Sequence, residues 1–222
     1  MTDHAISPLR VDIISDVVCP WCIIGYRQLA AAAEAEGAAL EVHWHPFELN
    51  PDMVPEGEDL REHVARKYGS STADSDAARA RLSSLGAELG FDIRFTPDSR
   101  IYNTFQAHQL LHWAGTLGQE HALKMALFAA YFTDRRDVSD PAVLVEICQN
   151  IGLDAAEAKA VLEDARYAQT VREAEAVWTR QGIRGVPAMI FSGRYLVSGA
   201  QGIENYRKVL QQLADAPQPL DA

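Results

Sequence analysis

The stretch from Val11 to Ile23, VDIISDVVCPWCI, decides the fold of this 222-residue chain. Its first part, Val11–Val18, is rich in β-branched residues, which favour strands. The strand runs directly into Cys19-Pro20-Trp21-Cys22, and the Ala-rich segment Ile23–Glu36 that follows is typical of a helix. Proline is tolerated in the first helical turn, where its missing N–H has no partner to lose. The pattern therefore predicts Cys19 at the helix N-cap and Cys22 inside the first turn.

The segments on either side predict an α/β fold with an insertion. Leu40–Trp44 alternates apolar and polar residues, so it completes a βαβ unit with a right-handed crossover. Residues 59–181 show helical patterning throughout, and strands return at 187–191 and 195–198 before a last helix at 202–213. We expect residues 1–58 and 182–222 to form one thioredoxin-like domain of order βαβ…ββα, interrupted by an all-helical domain over 59–181.

Composition and charge exclude several classes of function. The chain has 20 Lys and Arg residues against 31 Asp and Glu residues, a net charge of −11. Binding to nucleic acid or to an anionic membrane needs a surplus of Lys and Arg, so we expect neither. The segment Met1–Val11 lacks the pattern of a secretory signal, and no apolar run approaches the ~18 residues of a membrane span. We expect a soluble, cytoplasmic protein.

The cysteine spacing points to redox chemistry. A Cys-x-x-Cys pair serves as half of a zinc site or as a redox dithiol, and no second such pair is present. Unpaired N–H groups at a helix N-terminus stabilise a thiolate, so such thiols reach pKa values of about 3.5–7.5. We predict that Cys19 attacks and Cys22 resolves the mixed disulfide. The alternative is two ordinary buried cysteines.

A second motif, Gly185-Val186-Pro187, opens the third strand. Proline is tolerated at the first residue of a strand, and a trans bond is its ordinary state.

Several stretches together make the chain resemble the thioredoxin superfamily, the DsbA-like family and its FrnE-like group. They span nearly the whole sequence: Ser15-Asp16, Cys19-Pro20-Trp21-Cys22-Ile23, Gly25, Phe47-Glu48-Leu49-Asn50-Pro51, Asn103-Thr104, Ala107-His108, Gly185-Val186-Pro187 and Val197-Ser198-Gly199-Ala200-Gln201. The resemblance implies that the Val186–Pro187 bond is cis and faces Cys19. It also implies that the Val186 backbone pairs with an extended substrate, as in strand addition.

Other residues carry open alternatives. Asp16 is a proton acceptor for Cys22 or a cap of the helix. Trp21 is an apolar platform for substrates or a packing residue. The resemblance places Asn50 and His108 with Asp16, Pro20, Trp21, Val186 and Pro187 in the substrate-binding set.

Histidine pairs and the third cysteine have simpler interpretations. His43 and His45 share a strand face, and His108 and His112 share a helix face, but neither pair has an identifiable further ligand. We therefore predict no metal site. Cys148, in an apolar helical stretch, is expected to be a small buried hydrophobe.

Together these features predict a thiol–disulfide oxidoreductase acting on protein or small-molecule disulfides. It requires no cofactor, and glutathione or thioredoxin is the candidate reductant or co-substrate. One alternative is a glutathione-dependent isomerase or transferase of the kappa or 2-hydroxychromene-2-carboxylate isomerase type, although those relatives typically carry Ser where Cys19 stands. The other is a non-catalytic module that binds extended peptides.

Overall fold

A computed structural model describes residues 8–215 of the chain. Residues 1–7, which make up most of the segment expected to lack a secretory signal, and residues 216–222 lie outside the described residues. The strands are β1 (Leu9–Ser15), β2 (Leu40–Pro46), β3 (Glu58–Asp59), β4 (Arg100–Ile101), β5 (Ala188–Phe191) and β6 (Tyr195–Ser198). The helices are α1 (Pro20–Glu36), α2 (Leu60–Tyr68), α3 (Thr72–Glu88), α4 (Phe105–Thr116), α5 (Glu120–Phe128), α6 (Pro141–Asn150), α7 (Ala155–Asp164), α8 (Ala168–Arg180) and α9 (Ile203–Asp215).

The main sheet has the strand order β2-β1-β5-β6. β1 is parallel to β2 and antiparallel to β5, so that Ile13 lies between Trp44 and Met189. β6 pairs antiparallel with β5. The predicted thioredoxin fold, βαβ followed by ββα, is confirmed, and β1 lies inside the sheet with the cysteine pair just beyond its end.

β1 is shorter than the sequence pattern predicts. Its last residue is Ser15, and residues 16–18 form a turn rather than more strand. The Cys19 N–H donates to the Asp16 carbonyl (3.3 Å), which closes this turn and leads into α1 at Pro20. Cys19 is therefore the N-cap residue, as predicted.

The inserted block is mainly helical, with one departure. Glu58 and Asp59 pair antiparallel with Ile101 and Arg100 in a two-residue ribbon, too short to leave a periodic signal. The block packs directly on the sheet, because one apolar core joins Ile13 and Ile23 to Leu110, Leu127 and Phe128. The division into domains at 58/59 and 181/182 stays a prediction. No helix within residues 8–215 has a stretch long and apolar enough to cross a bilayer.

Candidate active site

The cysteine pair lies where β1 turns into α1. Cys19 is 3% exposed and Cys22 is fully buried one turn further on. Both thiols are free. The Cys19 thiol donates to the Val186 carbonyl (Sγ···O 3.6 Å), which joins two segments 167 residues apart in the sequence.

The second motif lies against the first. The Val186–Pro187 peptide bond is cis. Pro187 is buried, and a Cβ built on Gly25 would lie 3.2 Å from its Cγ, so a glycine allows α1 to approach this loop closely. The Val186 carbonyl, which was expected to pair with substrate, accepts from Cys19 in this structure.

Each thiol shifts the pKa of the other. The pKa of Cys19 is raised well above its ordinary value, first by its hydrogen bond with Cys22, then by burial and by the charge of Asp16. Burial also raises the pKa of Cys22, but the nearby Cys19 and Ser15 side chains and the charge of Lys124 outweigh burial and lower the net value. The interaction with Cys22, burial and the charge of Asp16 therefore act against the helix N-terminus, which was expected to stabilise the Cys19 thiolate.

Lys124 is the buried cation beneath the pair. Its Nζ donates to the Ser15 carbonyl (3.4 Å) and lies 5.1 Å from the centre of the Phe128 ring. Burial lowers the pKa of Lys124 to about 8, although the charges of Cys22 and Asp16 oppose that shift. Its position in α5 holds a signal that the sequence analysis missed, since Lys124 shares a helix face with Leu127 and Phe128.

Asp16 is fully buried and does not cap α1. The Leu49 N–H donates to its Oδ2 (2.7 Å), while His108 Nε2 lies 3.5 Å from its Oδ1 without hydrogen-bond geometry. Burial raises the pKa of Asp16, but His108, the Leu49 N–H and Lys124 outweigh it, so the net shift is downward. A carboxyl with a lowered pKa is ionised at neutral pH, where it is a poor proton acceptor.

A cavity of about 350 Å³ opens from Cys19 toward the inserted helices. Four residues of the predicted substrate-binding set line it: Pro20, Trp21, Asn50 and Val186. Trp21 is 38% exposed at its edge. Asp16, His108 and Pro187 are buried and are not part of this lining, because they lie beneath or behind the pair. The inserted helices and the segments between them add His63, Tyr68, Ser75, Arg79, Phe95 and Tyr131.

The Asn50 side chain is held by two neighbours. Its Oδ1 accepts from Lys67 Nζ (2.6 Å) and is 3.0 Å from His63 Nε2. The other ring nitrogen of His63 contacts Glu58 (2.7 Å). Asn50 therefore shapes the cavity wall with its oxygen already engaged. Sequence reasoning missed His63 and Lys67, because only the fold brings α2 to this loop.

Four histidines line a second cavity, of about 480 Å³. His43, His45, His108 and His112 line it together with Lys124. His43 bonds to Glu41 (2.9 Å) and His45 to Asp12 (2.8 Å), which accounts for both strand histidines. Within residues 8–215, no group of three or more His, Cys, Asp or Glu side chains is arranged to hold a metal ion.

A thioredoxin sheet, a Cys-x-x-Cys pair at a helix N-terminus and an adjacent cis-proline define a thioredoxin-fold protein with a helical insertion. The model of the DSBA-like thioredoxin domain matches residues 10–211, and the chain belongs to this family. The narrower FrnE-like grouping stays a prediction.

Three known proteins illustrate the relationship. The probable DsbA oxidoreductase SCO1869 of Streptomyces coelicolor is 35% identical, with a TM-score of 0.89 over 96% of this chain and 93% of that one. The uncharacterized protein YwbO of Bacillus subtilis is 28% identical over 91% of this chain and 96% of its own length. A 2-hydroxychromene-2-carboxylate isomerase is 17% identical, with a TM-score of 0.67 over 92% of this chain and 96% of that one, which shows a shared fold alone.

Proposed function

We propose that the protein is a thiol–disulfide oxidoreductase in which Cys19 is the nucleophile and Cys22 the resolving thiol. The observation that carries this proposal is the position of the two sulfurs. Cys19 lines the cavity, and Cys22 is fully buried one helical turn further on in α1. In this arrangement a substrate disulfide in the cavity can react with Cys19, and Cys22 can then attack the mixed disulfide.

The reaction starts from the pair with one thiol and one thiolate. When the proton moves from Cys19 to Cys22, the Cys19 thiolate attacks a substrate disulfide, and the first substrate thiolate leaves. Cys22 then attacks the Cys19 sulfur of the mixed disulfide, and the second substrate thiolate leaves. One departing thiolate takes up the remaining proton of the pair and the other takes up a proton from water, so the substrate is reduced and Cys19–Cys22 is oxidised.

Turnover requires a second thiol. Glutathione or thioredoxin is the proposed reductant of the Cys19–Cys22 disulfide, and no metal or tightly bound cofactor enters these steps. Cytoplasmic residence belongs to the same proposal, because a reducing compartment keeps such a pair in the dithiol form. In that setting reduction or isomerisation of substrate disulfides is the favoured direction.

The isomerase alternative differs in its use of Cys22. A glutathione-dependent isomerase of the type noted above would need glutathione and would keep its activity after Cys22→Ser. The presence of both thiols one helical turn apart favours exchange, since an isomerase has no use for a resolving thiol. A non-catalytic peptide-binding module would bind its clients equally well after Cys19→Ser.

The first test is a redox titration in glutathione buffers, with Trp21 fluorescence as the signal. We expect one reversible two-electron transition that is lost in Cys19→Ser and Cys22→Ser. Cys148→Ala is the matched control, because this third thiol is buried in α6, away from the pair, and burial raises its pKa to about 12.

The second test is trapping. Cys22→Ser should accumulate a mixed disulfide on Cys19 that mass spectrometry detects, whereas Cys19→Ser should accumulate none. Absence of both the transition and the trapped adduct, with tight glutathione binding instead, would move the assignment to the isomerase.

A further inference from the structure

Arg79, on the inserted helix α3, is a buried cation that lacks a partner. It lines the active-site cavity and is 8% exposed. Neither terminal nitrogen of its guanidinium has a hydrogen-bond partner in the structure. Its contact is apolar, since the guanidinium carbon lies 5.9 Å from the centre of the Phe95 ring, which also lines the cavity.

Ser75 is a second unsatisfied group in the same wall. It lies four residues before Arg79, so the two side chains share one face of α3. Ser75 is also buried, and its hydroxyl has no partner. This wall of the active-site cavity therefore contains two adjacent polar side chains that have no hydrogen-bond partner.

The carboxylates near Arg79 are already engaged. Asp76 pairs with Arg61 (2.9 Å), and Asp59 accepts from the first N–H groups of α2. Asp74, which also lines the cavity, closes the capping box of α3 with Ser71. Burial and then repulsion from Arg61 lower the pKa of Arg79, against the attraction of Asp76 and Asp59. Neither carboxylate hydrogen-bonds to the two terminal nitrogens of the Arg79 guanidinium.

An unpaired buried charge is costly, and buried polar groups without partners are rare in folded proteins. A carboxylate is the group that best satisfies a guanidinium, because it accepts two parallel hydrogen bonds from the planar fork. A neighbouring hydroxyl can donate a third. These two side chains therefore offer donors matched to a single carboxylate.

We propose that Arg79 and Ser75 form a carboxylate subsite that selects small, carboxylate-bearing disulfides for exchange at Cys19. The inference rests on the proposed function and names its substrate class. A cavity of about 350 Å³ lies at the lower end of the range for small-molecule pockets, so it favours a small disulfide over a folded protein. The apolar wall near Trp21 and Phe95 accommodates the rest of the molecule.

The test compares substrates before it compares variants. Wild-type protein is assayed for reduction of glutathione disulfide, of its fully esterified form and of the neutral bis(2-hydroxyethyl) disulfide. We expect kcat/KM for the free acid to exceed that for the ester by about ten- to hundredfold, the size of a charge-assisted hydrogen bond. This arm needs no mutation, so folding defects cannot affect it.

The variants then locate the effect. Arg79→Gln should remove most of the preference for the free acid, lowering kcat/KM for the acid about ten- to hundredfold more than kcat/KM for the neutral disulfide. Arg79→Lys should restore part of the preference, because the charge returns without the fork. Arg81→Gln, on an exposed residue of the same helix, is the matched control and should change neither rate.

The outcomes separate the two proposals. Equal rates with acid and ester in the wild type overturn the subsite and leave the exchange reaction standing. No exchange with any of the three disulfides overturns the proposed function itself. A preference for the free acid that survives in Arg79→Gln overturns the assignment to Arg79. Rapid exchange only with an acidic cysteine-containing peptide would overturn the proposal that the substrates are small molecules.

Discussion

Substitution of Lys124 tests how a buried positive charge affects the pKa of the two thiols. Its ammonium lies beneath the pair, and its charge favours the Cys22 thiolate. Lys124→Met should therefore raise the pH at which the pair loses its first proton by about one unit, as expected for loss of a nearby opposite charge. Thiolate absorbance at 240 nm, recorded against pH, measures the change.

Two features of the chain make this measurement selective. Cys148 does not contribute below about pH 10, because burial raises its pKa to about 12. Lys159→Met removes an exposed ammonium on α7 and should leave the titration unchanged. A Lys124→Met curve that overlays the wild type would remove Lys124 from the thiol chemistry.

Glu48 is a buried carboxyl whose ionisation makes the free energy of unfolding depend on pH. Burial raises its pKa to about 7, with help from Glu175 and Asp16 and against the pairing of Glu48 with Arg172. In the unfolded chain the same carboxyl titrates near its ordinary value of about 4.3. Between these two values the native state binds the proton and the unfolded state does not, so stability falls as pH rises from about 4.3 to about 7.

Glu48→Gln should remove this dependence. We expect the variant to exceed the wild type in free energy of unfolding by up to about 3 kcal/mol at pH 8, and the two to converge near pH 4. Urea denaturation at both pH values provides the comparison. A wild type that is the more stable protein at pH 8 would mean that the pairing with Arg172 outweighs burial.

At the scale of elements, the close approach of α1 to β5 holds the two motifs together. Gly25 is the point of contact, since an added Cβ would lie 3.2 Å from Pro187 Cγ and 3.3 Å from Met189 Cε. Gly25→Val should overpack this interface and lower the free energy of unfolding by about 1–3 kcal/mol. It should also displace Val186 from Cys19 and slow disulfide exchange.

Gly115→Ala in α4 is the matched control for this substitution. Its nearest neighbour would lie 3.8 Å away, an ordinary contact, so the change should be neutral or stabilising by about 0.4–1 kcal/mol. Urea denaturation and the exchange assay on both variants test the interface. Equal stability of Gly25→Val and the wild type would show that α1 can retreat without cost.

Across the whole molecule, the parts that sequence predicted are those with local signals. The strand, the Cys-Pro-Trp-Cys turn and the Ala-rich helix adjoin one another, so β1 and α1 follow from nearest neighbours. The buried network around Asp16 does not, because Leu49, His108 and Lys124 come from three separate segments. Arg79 was missed for the same reason, since only the packing of α3 over the cavity shows that its guanidinium has no partner.

The insertion between β2 and β5 also delays the synthesis of Val186 relative to that of Cys19. Cys19 and the Val186 carbonyl that accepts from it are 167 residues apart. A ribosome adding about 5–20 residues per second takes about 10–30 s to cover that distance. During that interval the nascent thiols lack the segment that covers them, so they meet the oxidants and disulfides of their surroundings unprotected. We therefore expect the redox state of the pair in the newly made protein to depend on the compartment in which the chain is synthesised.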